Sequence, residues 1–188
     1  QYFHSNRFSK HHLLPVGEFV PFEDWLRPLA PLFDLPMSSF SRGDYQQANL
    51  EANGIHLAPA ICFEIAFPHQ VMANVFEDTD MIITVSNDAW FGHSHGPAQH
   101  LQIAQMRALE LGRPVVRATN NGITAFIDHK GEVTTRLPQF TAGNISAPVV
   151  ATRGFTPYYH LQELGVWLLT LFLLASAITL KRADINRN

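Results

Sequence analysis

The chain holds a single cysteine, Cys62. A thiolate is an intrinsically strong nucleophile, and its surroundings decide whether it is used. IHLAPAI, residues 55–61, precedes it and reads as a strand; Pro68 suits the first turn of a helix running to about Phe76. A thiol lifted off a strand end ahead of a helix N-terminus is exposed, and the helix favours the thiolate. Other nucleophile elbows use the same logic. A lone cysteine is otherwise a small buried hydrophobe, so the chemistry needs an oxyanion donor and a proton carrier.

Lys10, in KHHLLPVGE, is the candidate donor: an ammonium beside the nucleophile stabilises the negative oxygen of a tetrahedral intermediate. Taken alone, a lysine is a solvated surface residue. Glu18 and Glu64 are the nearest carboxylates in context, suited to orienting Lys10 or handling protons. Their plain alternative is a surface charge or a loop hydrogen bond. Ten histidines raise a metal site, with His93 and His95 beside Asp88 and with His11 next to His12. No third ligand follows at zinc spacing, so no metal is expected. Asn144-Ile145-Ser146 matches a glycosylation sequon, a pattern that arises by chance.

The elements that must position these residues follow from the pattern. Residues 15–50 carry proline after proline, which breaks long helices and central strands. They read as a long ordered loop. Asn53-Gly54 marks a turn before the Cys62 strand. DMIITVS, residues 80–86, is a short apolar run of the buried-strand kind. Leu101, Ala104, Ala108 and Leu111 recur on one face of a helix over 97–111, with Gly112 as cap and Pro114 as stop. VVRAT, ITAFI and EVTTRL read as three short strands, the last two joined by the turn Asp128–Gly131, with another strand near Ala147–Ala151. Strand, helix, strand, helix and then several strands predict a mixed α/β domain.

Composition sets the outer bounds. The chain is 46% hydrophobic and 15% charged, too apolar for disorder. A net charge of -3 gives no basic field for nucleic acid. Leu164–Leu180 is 17 residues without a charge, within the range of a membrane-spanning helix. Its plain alternative is a buried core helix. Tyr158, Tyr159 and His160 suit an interfacial belt, and Lys181 can snorkel. Lys181, Arg182 and Arg187 follow the span and only Arg153 lies close before it. The positive-inside rule puts the C-terminus in the cytoplasm and the rest outside, in the periplasm of a Gram-negative cell.

Lys10 in KHHLLPVGE, Cys62 in ICFE and the block SNDAWFG, residues 86–92, resemble the nitrilase superfamily of carbon–nitrogen hydrolases. The loop FVPFEDWLRPLAPLFDLPMSSFSRGD, the block MRALELGRPVVRATNNGITAFID and the closing apolar span resemble its membrane-bound branch, the apolipoprotein N-acyltransferases. The resemblance runs from about Tyr2 to Arg182.

The resemblance implies the C-terminal part of an α-β-β-α sandwich, followed by one transmembrane helix. Residues 1–155 would be the catalytic domain without its N-terminal portion, 156–163 an interfacial linker, 164–180 the span and 181–188 a cytoplasmic tail. It implies a Glu-Lys-Cys triad with Cys62 as nucleophile, Lys10 as the triad lysine and Glu18 as a further essential glutamate. Glu64 matches the glutamate two residues past the nucleophile. The glutamate base lies upstream of the lysine in the family. Positions 1–9 contain no Asp or Glu, so the base is expected outside this chain. Phe63 stands where close relatives carry tyrosine, losing a hydroxyl but keeping a ring for acyl packing.

The implied chemistry moves a fatty acyl group from a phospholipid, through a Cys62 thioester, to the α-amine of a lipoprotein's diacylglyceryl cysteine. No cofactor is implied, and a monomer in the bacterial inner membrane is expected. Phe19, Phe22, Trp25, Leu26, Leu29, Leu32 and Phe33 would then lie on the bilayer and admit lipid tails, or else pack on their own domain. Trp90 and Phe91 would line the acyl pocket, or else serve as core. The rival readings are a soluble-type amidase hydrolysing C–N bonds, and an inactive membrane-anchored fragment lacking the base.

Overall fold

The computed structural model describes residues 5–15, 18–19 and 40–185. Two compact units divide the chain, Gln1–Gly154 and Phe155–Asn188.

In the first unit a two-residue turn starts the sheet. Asn53 and Gly54 both take positive φ, the conformation that matches the right-handed twist of a hairpin. The turn joins β1 (Leu50–Ala52) to β2 (Ile55–Ile61) as an antiparallel pair. Pro59 lies within β2, where it cannot donate to a ladder. It is tolerated because β1 pairs only with Ile55–Leu57 and has ended by then.

β3 (Met81–Asn87) and β4 (Val115–Asn120) continue the sheet in parallel. Parallel neighbours need a crossover. The first contains α1 (Pro68–Ala73), and the second contains α2 (Gly96–Leu111). β5 (Ala125–Ile127) and β6 (Val133–Arg136) close the sheet as antiparallel strands, in the order β1-β2-β3-β4-β5-β6. The result is a mixed α/β sheet whose helices lie against it.

The core forms where the two periodicities meet. Leu101, Ala104, Ala108 and Leu111 of α2 are buried, as their spacing predicts, against Ile82, Val115, Ala125 and Ile127 of the sheet region. Alanine at 104 and 108 lets the helix backbone approach the strands closely. Gly112 ends α2 in the left-handed conformation, and its N–H bonds the Ala108 carbonyl.

α1 starts at Pro68 as expected, with a 3-10 turn, Cys62–Ala66, between it and β2. Two expectations change. The helix stops at Ala73, because the Asn74 side chain is engaged by Gln47, Tyr45 and Gln70. Residues 147–151 are not a strand. Pro148 has no N–H for a ladder, and the segment is held by side chains further on. Arg113, 1% exposed, donates to the Thr79 and Gly154 carbonyls at 2.7 Å each, and Thr152 Oγ1 donates to Gly112 O at 2.6 Å.

The second unit holds α3 (Pro157–Leu161), capped by Thr156, and α4 (Leu164–Ile185). Within α4, the window Leu164–Lys181 is long and apolar enough to cross a membrane. The helix runs past the charge-free span into Lys181 and beyond.

Candidate active site

Cys62 sits just past the C-terminal end of β2 with φ 55, a left-handed conformation that a non-glycine residue seldom adopts. Such a conformation costs about 1–3 kcal/mol and persists only where its neighbours impose it. Here they do.

Glu64, 1% exposed, is the first of these neighbours. Its Oε2 accepts from the Ile61 N–H at 2.8 Å. Its Oε1 accepts from the backbone of His11 at 2.7 Å and His12 at 3.2 Å, and from Gln70 Nε2 at 3.0 Å. One carboxylate thus ties the Cys62 turn to the segment that carries Lys10. Glu64 does not orient Lys10: its hydrogen bonds hold backbone and Gln70 instead.

Orientation of Lys10 falls to Glu18. Lys10 Nζ donates to Glu18 Oε1 and lies 2.7 Å from Oε2 as well. The Leu14 N–H donates to Oε2 at 2.8 Å, which closes the loop between the two charged residues. Lys10 keeps only 10% of its side chain exposed, so this pair is largely withdrawn from water.

A cavity of about 860 Å³ opens beside Cys62. Glu18 and Leu14 line it from the Lys10 segment, Ile61 and Phe63 from the Cys62 turn, and Ile103 from α2. Its other walls are the C-terminal ends of β3 and β4: Val85–Asn87 and Ala118–Asn120. Ligands of open parallel sheets bind at this end of the strands. Most of the lining is apolar. Lys10 itself does not line this space; its partner Glu18 does.

Trp90 and Phe91 line the cavity too, on a 3-10 turn after β3, with Trp90 80% exposed. They are rim residues, not core. Phe63 is exposed and packs edge-on against Phe67. Phe19 lies under the Arg42 guanidinium, 5.1 Å from its ring centre. Phe22, Trp25, Leu26, Leu29, Leu32 and Phe33 fall outside the described residues.

Behind Cys62 lies a buried network that residue types alone did not assemble. Asp88, fully buried, accepts from Arg117 Nη2 at 2.7 Å, from Ser86 Oγ at 2.6 Å and from His100 Nδ1 at 3.0 Å. His100 then reaches forward, with Nε2 3.2 Å from the Cys62 carbonyl oxygen. Burial opposes the charge on Asp88. The His100 and Ser86 hydrogen bonds and the Arg117 cation outweigh it and hold the carboxyl below its ordinary value. Burial also draws the Arg117 guanidinium below its usual value, and Asp88 offsets part of that. Asp88 therefore turns inward, away from the use with His93 and His95 that its sequence position suggested. Among the described residues no cluster of His, Cys, Asp or Glu is arranged to hold a metal ion.

A strand-end thiol, a carboxylate-held lysine and a mixed sheet are the parts of a Lys–Cys hydrolase-type centre. The family model for carbon-nitrogen hydrolases matches residues 3–158, and the chain belongs to that family. Two curated relatives share a name. A Photobacterium profundum protein named apolipoprotein N-acyltransferase is 57% identical over 187 residues, covering 100% of this chain and 35% of that protein. A Vibrio parahaemolyticus protein of the same name is 60% identical over 163 residues, covering 87% of this chain and 32% of that protein. The chain thus spans about a third of the length of these relatives. A solved carbon-nitrogen hydrolase from Helicobacter pylori aligns over 53% of this chain and 42% of its own, at 12% identity and TM-score 0.47.

Proposed function

We propose that this chain is the C-terminal part of a membrane-bound N-acyltransferase that carries a fatty acyl group on Cys62. The observation that carries the reading is the placement of Cys62, in a left-handed turn, at the wall of a large, mostly apolar cavity that also holds Glu18 of the Lys10–Glu18 pair. An apolar helix long enough for a bilayer accompanies it. The relatives' name supports lipoproteins as the acceptor class.

In the first half-reaction Cys62 Sγ attacks the ester carbonyl of a phospholipid. Its proton passes to a carboxylate base upstream of Lys10. Lys10, held by Glu18, and a backbone N–H of the Cys62 turn stabilise the oxyanion. The ester C–O bond breaks, the lysophospholipid oxygen takes the proton, and an acyl thioester remains. In the second half-reaction the α-amine of a diacylglyceryl cysteine attacks the thioester. The C–S bond breaks, the amide forms, and the thiol is restored. Two lower barriers replace the single difficult aminolysis of an ester. The protein works as a monomer in the bacterial inner membrane, with the catalytic unit in the periplasm and the C-terminus in the cytoplasm. A periplasm-dependent reporter fused to the C-terminus is expected to stay silent; an active reporter would reverse the orientation.

The direct test is the intact mass of the full-length protein after incubation with phospholipid. The Cys62→Ala variant is the control, and each sample is split for neutral hydroxylamine. A fatty-acyl gain that needs Cys62 and vanishes with hydroxylamine is the expected result. Hydrolysis of small amides without any adduct would replace this reading by the amidase.

A further inference from the structure

The peptide that joins Cys62 to Phe63 has two ends of chemical interest. Its carbonyl belongs to Cys62 and faces His100 Nε2 at 3.2 Å. Its N–H belongs to Phe63, in the first turn of the 3-10 segment Cys62–Ala66. The first N–H groups of a helical turn have no acceptor within that turn. A trans peptide is planar, so its C=O and N–H point in opposite directions, and fixing one fixes the other.

We propose that His100 is a positioning residue that locks the Cys62–Phe63 peptide, so that the Phe63 N–H faces the site where the oxyanion forms. The inference rests on the acyl-transfer reading above. It supplies what a nucleophile at φ 55 needs, since a left-handed residue can relax by rotating the following peptide. Rotation would turn the carbonyl dipole toward the developing negative charge and remove a donor at once.

The imidazole is well placed to resist that rotation. It is 7% exposed on α2, with Nδ1 on Asp88 and Nε2 on the Cys62 carbonyl. Both ring nitrogens face oxygen acceptors. Asp88 is fixed in turn by Arg117 and Ser86, from β4 and β3. The lock therefore spans the nucleophile turn, two strands and a helix. The Phe91 ring approaches His100 edge-on, with centroids 6.2 Å apart.

Two substitutions separate the two ends of the ring. The amide nitrogen of glutamine superposes on Nε2 and can still reach the Cys62 carbonyl; that of asparagine superposes on Nδ1 and can reach only Asp88. The experiment uses the full-length protein in detergent. It compares the single-turnover rate of acyl-thioester formation from phospholipid with the rate of Cys62 alkylation by iodoacetamide, a displacement that builds no oxyanion. His100→Asn is expected to slow acylation by roughly 100-fold, the scale of one lost oxyanion donor, with alkylation within about threefold of wild type. His100→Gln is expected to stay within about tenfold in acylation.

Acylation at the wild-type rate in His100→Asn would overturn the lock. Equal losses of acylation and alkylation would also overturn it, by showing that His100 acts on the thiol or the fold. Should His100→Asn fail to fold, His100→Gln decides alone, and a 100-fold loss of acylation there would sink the idea. A wild-type protein that alkylates at Cys62 but forms no acyl adduct would instead overturn the acyl-transfer reading itself, and the lock with it.

Discussion

Glu64 shows how one side chain sets the geometry of others. Its carboxylate is buried, and among the described residues its hydrogen-bond partners are all N–H donors: Ile61 on Oε2, and His11, His12 and Gln70 on Oε1. A glutamine there would aim its own N–H groups either at the one donor on Oε2 or at the three on Oε1. Glu64→Gln is therefore expected to destabilise the fold by about 1–3 kcal/mol, read from the urea midpoint. It should also slow thioester formation, because the Lys10 segment loses its tie to the Cys62 turn. Slower chemistry at unchanged stability would mean that Glu64 acts on the reaction itself. Asp88 makes a pH-dependent claim. Its folded carboxyl lies below the ordinary 3.8, so its charge contributes stability above that value and loses it as pH falls through the folded one. The deficit in melting temperature of Asp88→Asn should be full at neutral pH and should shrink below about pH 3.8. A deficit that stays constant down to that range would assign the loss to packing rather than charge.

Elements bring together what the chain keeps apart. Strand ends and helix faces were legible in the sequence, because Leu101, Ala104, Ala108 and Leu111 repeat at the helical period and Asn53-Gly54 forces a hairpin. Residue type offered both Glu18 and Glu64 as partners for Lys10, and only the fold shows that Glu18 is the one. The His100–Asp88–Arg117 network was not legible at all. Its members lie on α2, after β3 and on β4, and no periodicity links a helix position to two strand ends. Sequence proximity instead paired Asp88 with His93 and His95. The turn between β4 and β5 presses on this network. A Cβ at Gly122 would run into the Asp88 carboxylate. Gly122→Ala is expected to cost about 1–3 kcal/mol through overpacking, and much less in an Asp88→Ala background. Equal cost in both backgrounds, measured as a double-mutant cycle, would mean that backbone freedom and not this contact requires glycine.

At the scale of the whole molecule, the two units are built for different solvents. The first has a buried apolar core and carries the Asp88–Arg117 ion pair inside it. The second carries α4, whose Val166, Trp167, Phe172 and Leu180 are each 65–70% exposed. In water that surface would be a severe liability; in hydrocarbon it is the correct exterior. The polar atoms of the helix follow the same rule. Thr170 donates to Val166 O, Ser176 to Phe172 O and Thr179 to Ser176 O, so these hydroxyls are satisfied by the helix's own backbone. At 1.5 Å per residue, the 18-residue apolar window Leu164–Lys181 reaches about 27 Å, close to a hydrocarbon core of about 30 Å, and Lys181 can snorkel at its end. Phe172 falls near the middle of the apolar window Leu164–Lys181. A charge there opposes insertion by about 2.5–3.5 kcal/mol, whereas a charge at the Lys181 end can snorkel. Phe172→Arg is therefore expected to move a large share of the protein's second unit out of the bilayer, read by whether a glycosylation or protease tag beyond α4 changes sides. Leu180→Arg is expected to leave it in place. Equal tolerance of both changes would place α4 on the membrane surface or against protein, and would remove the span from the account.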